Sequence, residues 1–212
     1  VGDEALMIKL RFKKGNINIP IFVGKKKAKV GKALLNFYPD VNILISDDGL
    51  QHYELARDFE IAVVDGDRGF GNHFLIPAGP LRECLTRINE VDALVLNGPS
   101  KKKRLHEKKD KVFQMICGGD LFVNCLHRNR ISDPNVFERA IVAITGIGNP
   151  ERFIKHLKTL NLHLNEIIIF DDHHLFSESD FKDYDDVDII MTEKDAVKCK
   201  NFAKENFWYL SL

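Results

Sequence analysis

Two adjacent aspartates, Asp47 and Asp48, directly follow Ser46 at the end of the apolar run 43–45. Carboxylate oxygens are the ligands that Mg²⁺ prefers, and many phosphoryl-transfer enzymes hold this ion with an aspartate at the end of an apolar strand. Gln51 and His52 add polar groups to the same loop. The alternative is a turn or a helix cap, because Asp-Gly is a common turn pair. The added polar groups favour a metal site.

A second polar region joins the segment 69–72, Gly-Phe-Gly-Asn, to the segment 77–83, Pro-Ala-Gly-Pro-Leu-Arg-Glu. Glycines allow a ligand to approach the backbone, and prolines stiffen a loop. Arg82 can bind a phosphate, and Glu83 can help to coordinate a metal ion. The spacing alone favours the alternative, an irregular surface loop with a solvated ion pair.

The third candidate is the run Asp171-Asp172-His173-His174, which follows the apolar run 167–170. Carboxylates stabilise a neighbouring imidazolium and orient its ring, so this pattern suits proton transfer. The alternative is an ordinary polar strand end. A metal site at this run lacks a second cluster at recognisable ligand spacing.

Two further segments, 145–150 and 192–198, also follow apolar runs. The first is neither GxGxxG nor GxxxxGK[ST], so a tight strand-to-helix turn is the favoured interpretation. In the second, Thr192 and Asp195 favour a helix cap.

These candidates share one position, the end of a short apolar run. Such runs are typical of buried parallel strands, and they occur at 43–45, 61–64, 93–96, 141–144, 167–170 and 189–191. The segment 151–160 has apolar residues at helical spacing, with Asn149 as a cap. The pattern predicts an α/β fold with a mainly parallel sheet. Ligands bind beyond the carboxyl ends of such strands, which indicates an enzyme.

Composition narrows the class of protein. The chain has 212 residues, of which 44% are hydrophobic, and its formal net charge is zero. No global field therefore attracts it to nucleic acid, and we expect no nucleic-acid partner. The four cysteines form no CxxC pair, so we expect reduced, buried thiols. No apolar stretch approaches the length of a membrane-spanning helix.

We predict two lobes. The first covers residues 1–120, a linker covers 121–132, the second lobe covers 133–205, and a terminal strand at 206–212 pairs with the linker. The basic stretch Lys101–Lys111 is interpreted as a solvated face, with contact to anionic lipid head groups as the alternative.

Taken together, these segments resemble the lipid A 4'-kinases, the tetraacyldisaccharide 4'-kinase family. The resemblance runs in order through nearly the whole chain, and its longest blocks are highly specific. It rests on the segments 2–4, 46–53, 55–58, 65–72, 77–83, 146–150, 172–173 and 192–198.

The resemblance implies a P-loop NTPase-like, three-layer fold with two lobes joined by a short β linker. It also implies an enzyme that transfers the γ-phosphate of ATP to the 4'-hydroxyl of a tetraacyldisaccharide 1-phosphate. Such an enzyme uses Mg²⁺ and contacts the membrane surface at the cytoplasmic face of the bacterial inner membrane.

The resemblance also implies roles for individual residues. Asp3 and His173 correspond to a catalytic dyad, with His174 as an alternative to His173. The residues implied to bind nucleotide are Asp47, Asp48, Gln51, Arg82 and Glu83. The residues implied to bind metal are Glu4, Asp47, Asp48 and Glu83.

One departure from the family pattern affects these expectations. The family carries a membrane-associated helix and a GxxxxGK[ST] loop before the segments matched here, and this sequence contains neither. We therefore expect an N-terminally truncated member that binds ATP weakly or not at all by itself and is inactive alone, with apolar surface exposed on the first lobe. One alternative is a truncated, non-catalytic paralogue that binds acylated sugar or a partner protein. A second is a different P-loop-related nucleotide-binding protein that shares only the Asp-Asp element.

Overall fold

The structure is a computed structural model that describes residues 2–99, 111–116, 118–127, 130–131 and 133–211. The basic stretch 101–111, apart from its last residue, and Cys117 lie outside the described residues. The helices are α1 (Asp3–Lys14), α2 (Lys27–Phe37), α3 (Pro150–Thr159) and α4 (Glu193–Lys198). The strands are β1 (Ile61–Asp65), β2 (Ala93–Asn97), β3 (Val112–Met115), β4 (Leu121–Asn124), β5 (Arg130–Ile131), β6 (Ile141–Thr145), β7 (Leu164–Ile169), β8 (Asp188–Thr192) and β9 (Phe207–Ser211).

The chain forms two compact units. One contains residues 1–23 together with 118–212, and the other contains residues 24–117. The predicted division placed residues 1–23 in the first lobe, whereas α1 packs against α4. An ion pair between Arg11 and Glu193 joins these two helices. Contacts with residues distant in sequence therefore determine which unit contains α1.

The unit that holds both chain ends is built on a six-stranded sheet with the order β5-β4-β9-β8-β6-β7. The neighbours from β9 to β7 pair in parallel, whereas β4 pairs antiparallel with β9 and with β5. Consecutive residues of β6 and β8 are buried because both faces of the sheet are covered.

Alternate residues of these strands enter two separate cores. Ile141 and Ala143 pack on one face with Leu157 of α3, whereas Val142 and Ile144 pack on the other with Phe181. The result is a sheet between two layers, one of which contains α3. Asn149 caps α3 by accepting a hydrogen bond from the backbone N–H of Arg152 at 3.3 Å, and Pro150 occupies the first turn.

The second unit contains α2 and a three-stranded parallel sheet with the order β1-β2-β3. One face is buried through Ala62, Val64 and Leu96. The other face exposes Ile61 and Val63, which are 52% and 60% accessible to solvent. Both units thus have the predicted α/β class with mainly parallel sheets. None of the described helices has the length and apolar character needed to cross a membrane.

Two predictions from local pattern are wrong. The run 43–45 forms no strand, and Ile45 is 94% exposed. A strand requires a hydrogen-bonding neighbour, and no strand in the described part of the chain pairs with this run. Cys84 is free but exposed, because it lies on the loop before the 3₁₀ helix Leu85–Asn89. Cys125 and Cys199 are buried, reduced cysteines, as expected.

Candidate functional site

In the unit of residues 24–117, the two loop motifs at 69–72 and 77–83 fold against each other. The Asn72 amide donates to the Ala78 carbonyl at 2.9 Å, and the Asn72 side-chain oxygen accepts from the Phe74 N–H at 3.2 Å. A Cβ at Gly79 would collide with this amide and with the Phe74 carbonyl. This packing fixes the segment that carries Arg82 and Glu83.

Four of the predicted side chains meet beside this segment. Arg82 Nη1 lies 3.2 Å from both carboxylate oxygens of Asp48 and 3.5 Å from Gln51 Oε1. Gln51 Nε2 donates to Glu83 Oε1 at 2.8 Å. Asp48 has a positive φ of 46°, which short polar side chains such as Asp tolerate. Asp47, its neighbour, is exposed. Asp48, Gln51, Arg82 and Glu83 form what we call the acidic loop cluster.

Glu83 has two further partners besides the side-chain amide of Gln51. The Tyr53 hydroxyl donates to Glu83 Oε2 at 2.7 Å, and Arg87 Nε lies 3.5 Å from the same oxygen. The hydrogen bond from Tyr53 is the main reason that the pKa of Glu83 is lowered, with Gln51 and Arg87 adding to it against the effect of burial. The same bond raises the pKa of Tyr53. Glu83 is therefore a carboxylate near neutral pH.

In the unit that holds both chain ends, the parallel strands β6, β7 and β8 end at one edge of the sheet. Gly146 follows β6, the run 171–174 follows β7, and helix α4 follows β8. The His173 N–H donates to the Gly146 carbonyl at 3.3 Å, and the Gly146 N–H donates to Asp195 Oδ2 at 3.2 Å. These bonds hold the three segments together at this edge, where α/β folds bind ligands.

Asp3 reaches this edge from the first turn of α1. Asp3 Oδ2 lies 3.7 Å from His173 Nδ1, although 169 intervening residues separate them in the chain. The His173 side chain is 67% exposed, so the imidazole is accessible to a ligand. A carboxylate beside an imidazole is an arrangement suited to taking a proton from a hydroxyl group.

The second histidine of the pair has a different environment. His174 Nε2 lies 3.3 Å from Asp180 Oδ2, and the ring stacks on Phe170 with centroids 4.3 Å apart. The rings of Phe176 and His174 form a T-shaped pair with centroids 4.9 Å apart. The carboxylate of Asp3 therefore faces His173, while His174 is held by its own loop.

Two lysines of α4 complete the surroundings of Asp3. Lys198 Nζ lies 3.9 Å from Asp3 Oδ2 and 3.1 Å from Asp195 Oδ1. Lys194 Nζ lies 3.3 Å from Glu4 Oε1 and 3.9 Å from Asp172 Oδ1. Sequence reasoning assigned this segment a capping role and so missed both lysines. The i, i+3 spacing of Asp195 and Lys198 was the available signal.

The predicted metal ligands divide between the units: Glu4 lies with the α4 lysines, and the other three lie in the unit of residues 24–117. Within the described ranges, His, Cys, Asp and Glu side chains form no group of three that could hold a metal ion. Asp48 and Glu83 nevertheless provide hard carboxylate oxygens in one cluster. By donor chemistry this pair fits Mg²⁺, and Arg82 beside it fits a phosphate group.

The family model described as tetraacyldisaccharide-1-P 4'-kinase matches residues 1–212. The tetraacyldisaccharide 4'-kinase of Francisella tularensis subsp. novicida (strain U112) is 41% identical over 215 residues, covering 100% of this chain and 66% of that protein. The protein of the same name from Francisella tularensis subsp. tularensis (strain WY96-3418) is 40% identical with the same coverage.

A solved structure is also similar. It is described as the "apo" form of LpxK from Aquifex aeolicus in complex with ATP, and it superposes with a TM-score of 0.65 at 27% sequence identity. The match covers 89% of this chain and 57% of that one. The chain thus spans less than two thirds of the length of the relatives that it matches.

Proposed function

Because this chain belongs to the tetraacyldisaccharide-1-P 4'-kinase family, we propose that it provides catalytic residues of an ATP-dependent lipid A 4'-kinase. The reaction transfers the γ-phosphate of ATP to the 4'-hydroxyl of a tetraacyldisaccharide 1-phosphate. One observation carries the proposal: Asp3 and His173 meet at 3.7 Å at the carboxyl edge of a parallel sheet. The ATP complex of the similar structure supports the choice of phosphoryl donor.

The Asp3–His173 pair acts as the general base. A sugar hydroxyl is a weak nucleophile, and removing its proton during attack on the γ-phosphate lowers the barrier. The carboxylate orients the imidazole and stabilises the positive charge that it acquires with a proton. The exposure of His173 leaves room for the acceptor sugar to approach.

The acidic loop cluster serves the nucleotide. Arg82 neutralises phosphate charge, and Gln51 fixes Glu83 through its amide. Asp47, Asp48 and Glu83, which share one unit, would hold Mg²⁺. A divalent cation held there would supply positive charge to offset the negative charge of the phosphate groups. Positioning and charge neutralisation are the main requirements of phosphoryl transfer.

The acceptor fixes where the reaction occurs. A disaccharide with four acyl chains resides in a bilayer, so the enzyme contacts a membrane surface to reach it. We propose the cytoplasmic face of the bacterial inner membrane, where ATP is available.

The test measures transfer of radiolabelled phosphate from ATP to the disaccharide by the full-length protein. Asp3→Asn and His173→Asn should each lower kcat by about 10²–10⁴-fold, the usual contribution of a general base. Asparagine suits position 173 because His173 has a φ of 63°, a conformation that Asn tolerates.

Asp183→Asn and His163→Asn are matched controls, because both residues are exposed. They should retain wild-type activity. Unchanged kcat in both dyad variants would contradict the site assignment. Wild-type protein that binds the disaccharide without phosphorylating it would favour the non-catalytic paralogue.

A further inference from the structure

Lys198 is a nearly buried cation beside the Asp3–His173 pair. Its side chain is 6% exposed, and it lies over the ring of Phe176 at 5.5 Å from the centroid. Withdrawing an ammonium group from water costs free energy unless charged or polar partners replace the water. The arrangement of those partners therefore indicates what the lysine does.

The first partner is Asp195, which is fully buried. Asp195 Oδ2 accepts hydrogen bonds from the Thr192 hydroxyl at 2.7 Å, the Thr145 hydroxyl at 3.0 Å and the Gly146 N–H at 3.2 Å. Its other oxygen, Oδ1, faces Lys198 Nζ at 3.1 Å. One carboxylate oxygen thus joins the carboxyl ends of β6 and β8, while the other anchors the lysine.

The second partner is Asp3. Asp3 Oδ2 lies 3.9 Å from Lys198 Nζ and 3.7 Å from His173 Nδ1, so a single oxygen faces both groups. A helix cap explains the bonds between Thr192 and Asp195 but does not explain why Lys198 lies next to a carboxylate of another helix. A cation at this place attracts the Asp3 carboxylate and restricts its rotamers.

We propose that Lys198 is a positioning residue, which is anchored on Asp195 and holds the Asp3 carboxylate against His173. This inference rests on the proposed function of the Asp3–His173 pair. Lys198 acts through Asp3 and does not touch the reacting groups. Substituting it should therefore lower kcat while leaving the KM values for ATP and for the disaccharide unchanged.

The experiment is a double-mutant cycle in the full-length protein, with Lys198→Met and Asp3→Asn. Lys198→Met alone should lower kcat by about 10–100-fold, the effect expected when a catalytic group is misplaced by about 1 Å. In the Asp3→Asn background the same substitution should have no further effect, because the residue through which it acts is already disabled. Lys198→Arg, which retains the charge, should recover part of the lost kcat.

Lys200→Met is the matched control, because Lys200 is exposed two residues further along the chain. It should leave kcat unchanged. If Lys198→Met does not fold, Asp195→Asn replaces it in the cycle, since it removes the charge that anchors the lysine and keeps the side-chain shape. The expected result is again a loss of kcat that disappears in the Asp3→Asn background.

Three outcomes would overturn the inference: an equal fold-loss in both backgrounds, which indicates a purely structural role; a raised KM, which indicates contact with a substrate; or an unchanged kcat. The proposed function fails separately. If Asp3→Asn itself keeps wild-type kcat, the dyad assignment is wrong. If Asp3→Asn is impaired and Lys198→Met is not, only the positioning role is wrong.

Discussion

The pKa of Glu83 depends mainly on one neighbour, Tyr53. The Tyr53 hydroxyl donates to it at 2.7 Å, and this bond is the largest cause of its lowered pKa. We predict that Tyr53→Phe raises the pKa of Glu83 towards the ordinary glutamate value, because phenylalanine cannot donate a hydrogen bond to the carboxylate. An NMR titration that follows the glutamate side-chain carboxyl carbon measures this change.

The lowered pKa of Glu83 also makes the stability of the protein depend on pH. A carboxyl group whose pKa is lowered on folding stabilises the protein above its unfolded-state pKa, and this contribution is lost as the pH falls through the lower, folded-state pKa. The Tyr53→Phe variant should lose part of this contribution at neutral pH. Tyr184→Phe is the control, since it removes a hydroxyl 3.4 Å from Glu166 in the other unit and should leave Glu83 unchanged.

His173 combines a chemical role with an unusual backbone conformation. Its φ of 63° lies in the left-handed region, where a Cβ is unfavourable. We predict that His173→Gly is more stable to urea than His173→Ala by about 1 kcal/mol, because glycine adopts this conformation without strain. Both variants lack the imidazole, so a difference in stability between them reports the backbone conformation and not the loss of the side chain. Equal urea midpoints would mean that the loop changes conformation when the side chain is removed.

At the scale of elements, the cap of α3 can be tested alone. Asn149 accepts the backbone N–H of Arg152 at 3.3 Å and begins a helix whose Leu157 is fully buried. Asn149→Ala should lower the free energy of unfolding by about 1 kcal/mol, the usual value of such a cap. Asn149→Asp keeps an acceptor at the same place and should remain near the wild type. Urea denaturation of all three proteins decides the matter, and an unaffected Asn149→Ala would contradict the cap.

The contrast between two apolar runs shows how far sequence pattern predicts elements. The runs at 141–144 and 189–191 are strands because each has a pairing neighbour and a covered face on both sides. The run at 43–45 is equally apolar, yet it lies exposed, and none of the described strands pairs with it. Composition reports the tendency to be buried, whereas a strand also requires a hydrogen-bonding partner that local sequence does not specify.

The candidate site likewise has a part that follows from sequence pattern and a part that depends on tertiary contacts. The run 171–174 and the segment 192–198 each follow a predicted strand, so their position at one edge of the sheet follows from parallel pairing. The meeting of Asp3 with His173 depends on α1 packing against α4, which no local pattern specifies; only the family resemblance paired these residues. The choice between His173 and His174 depends likewise on tertiary contacts, because Asp180 and Phe170 hold the second ring.

At the scale of the whole molecule, the unit that carries Asp3 and His173 is assembled from both ends of the chain. Residues 1–23 join residues 118–212, and β9, near the end of the chain, lies between β4 and β8 in the sheet. Forming these contacts closes long loops, so the unit depends on cooperative packing. Its most buried strands, β6 and β8, lie inside the sheet with neighbours on both sides.

Hydrogen–deuterium exchange of the intact protein tests this distribution of stability. Amides in β6 and β8 should exchange slowest, at rates that approach global unfolding, because they are hydrogen-bonded and covered on both faces. Amides at 43–45 should exchange within the fastest class, because Ile43 is 74% and Ile45 is 94% exposed and no strand of the described ranges pairs with them. The slow strands serve as the internal control that the sample is folded. Strong protection at 43–45 would mean that this run has a strand partner in solution. An apolar run would then predict a strand at this position as it does at β6 and β8.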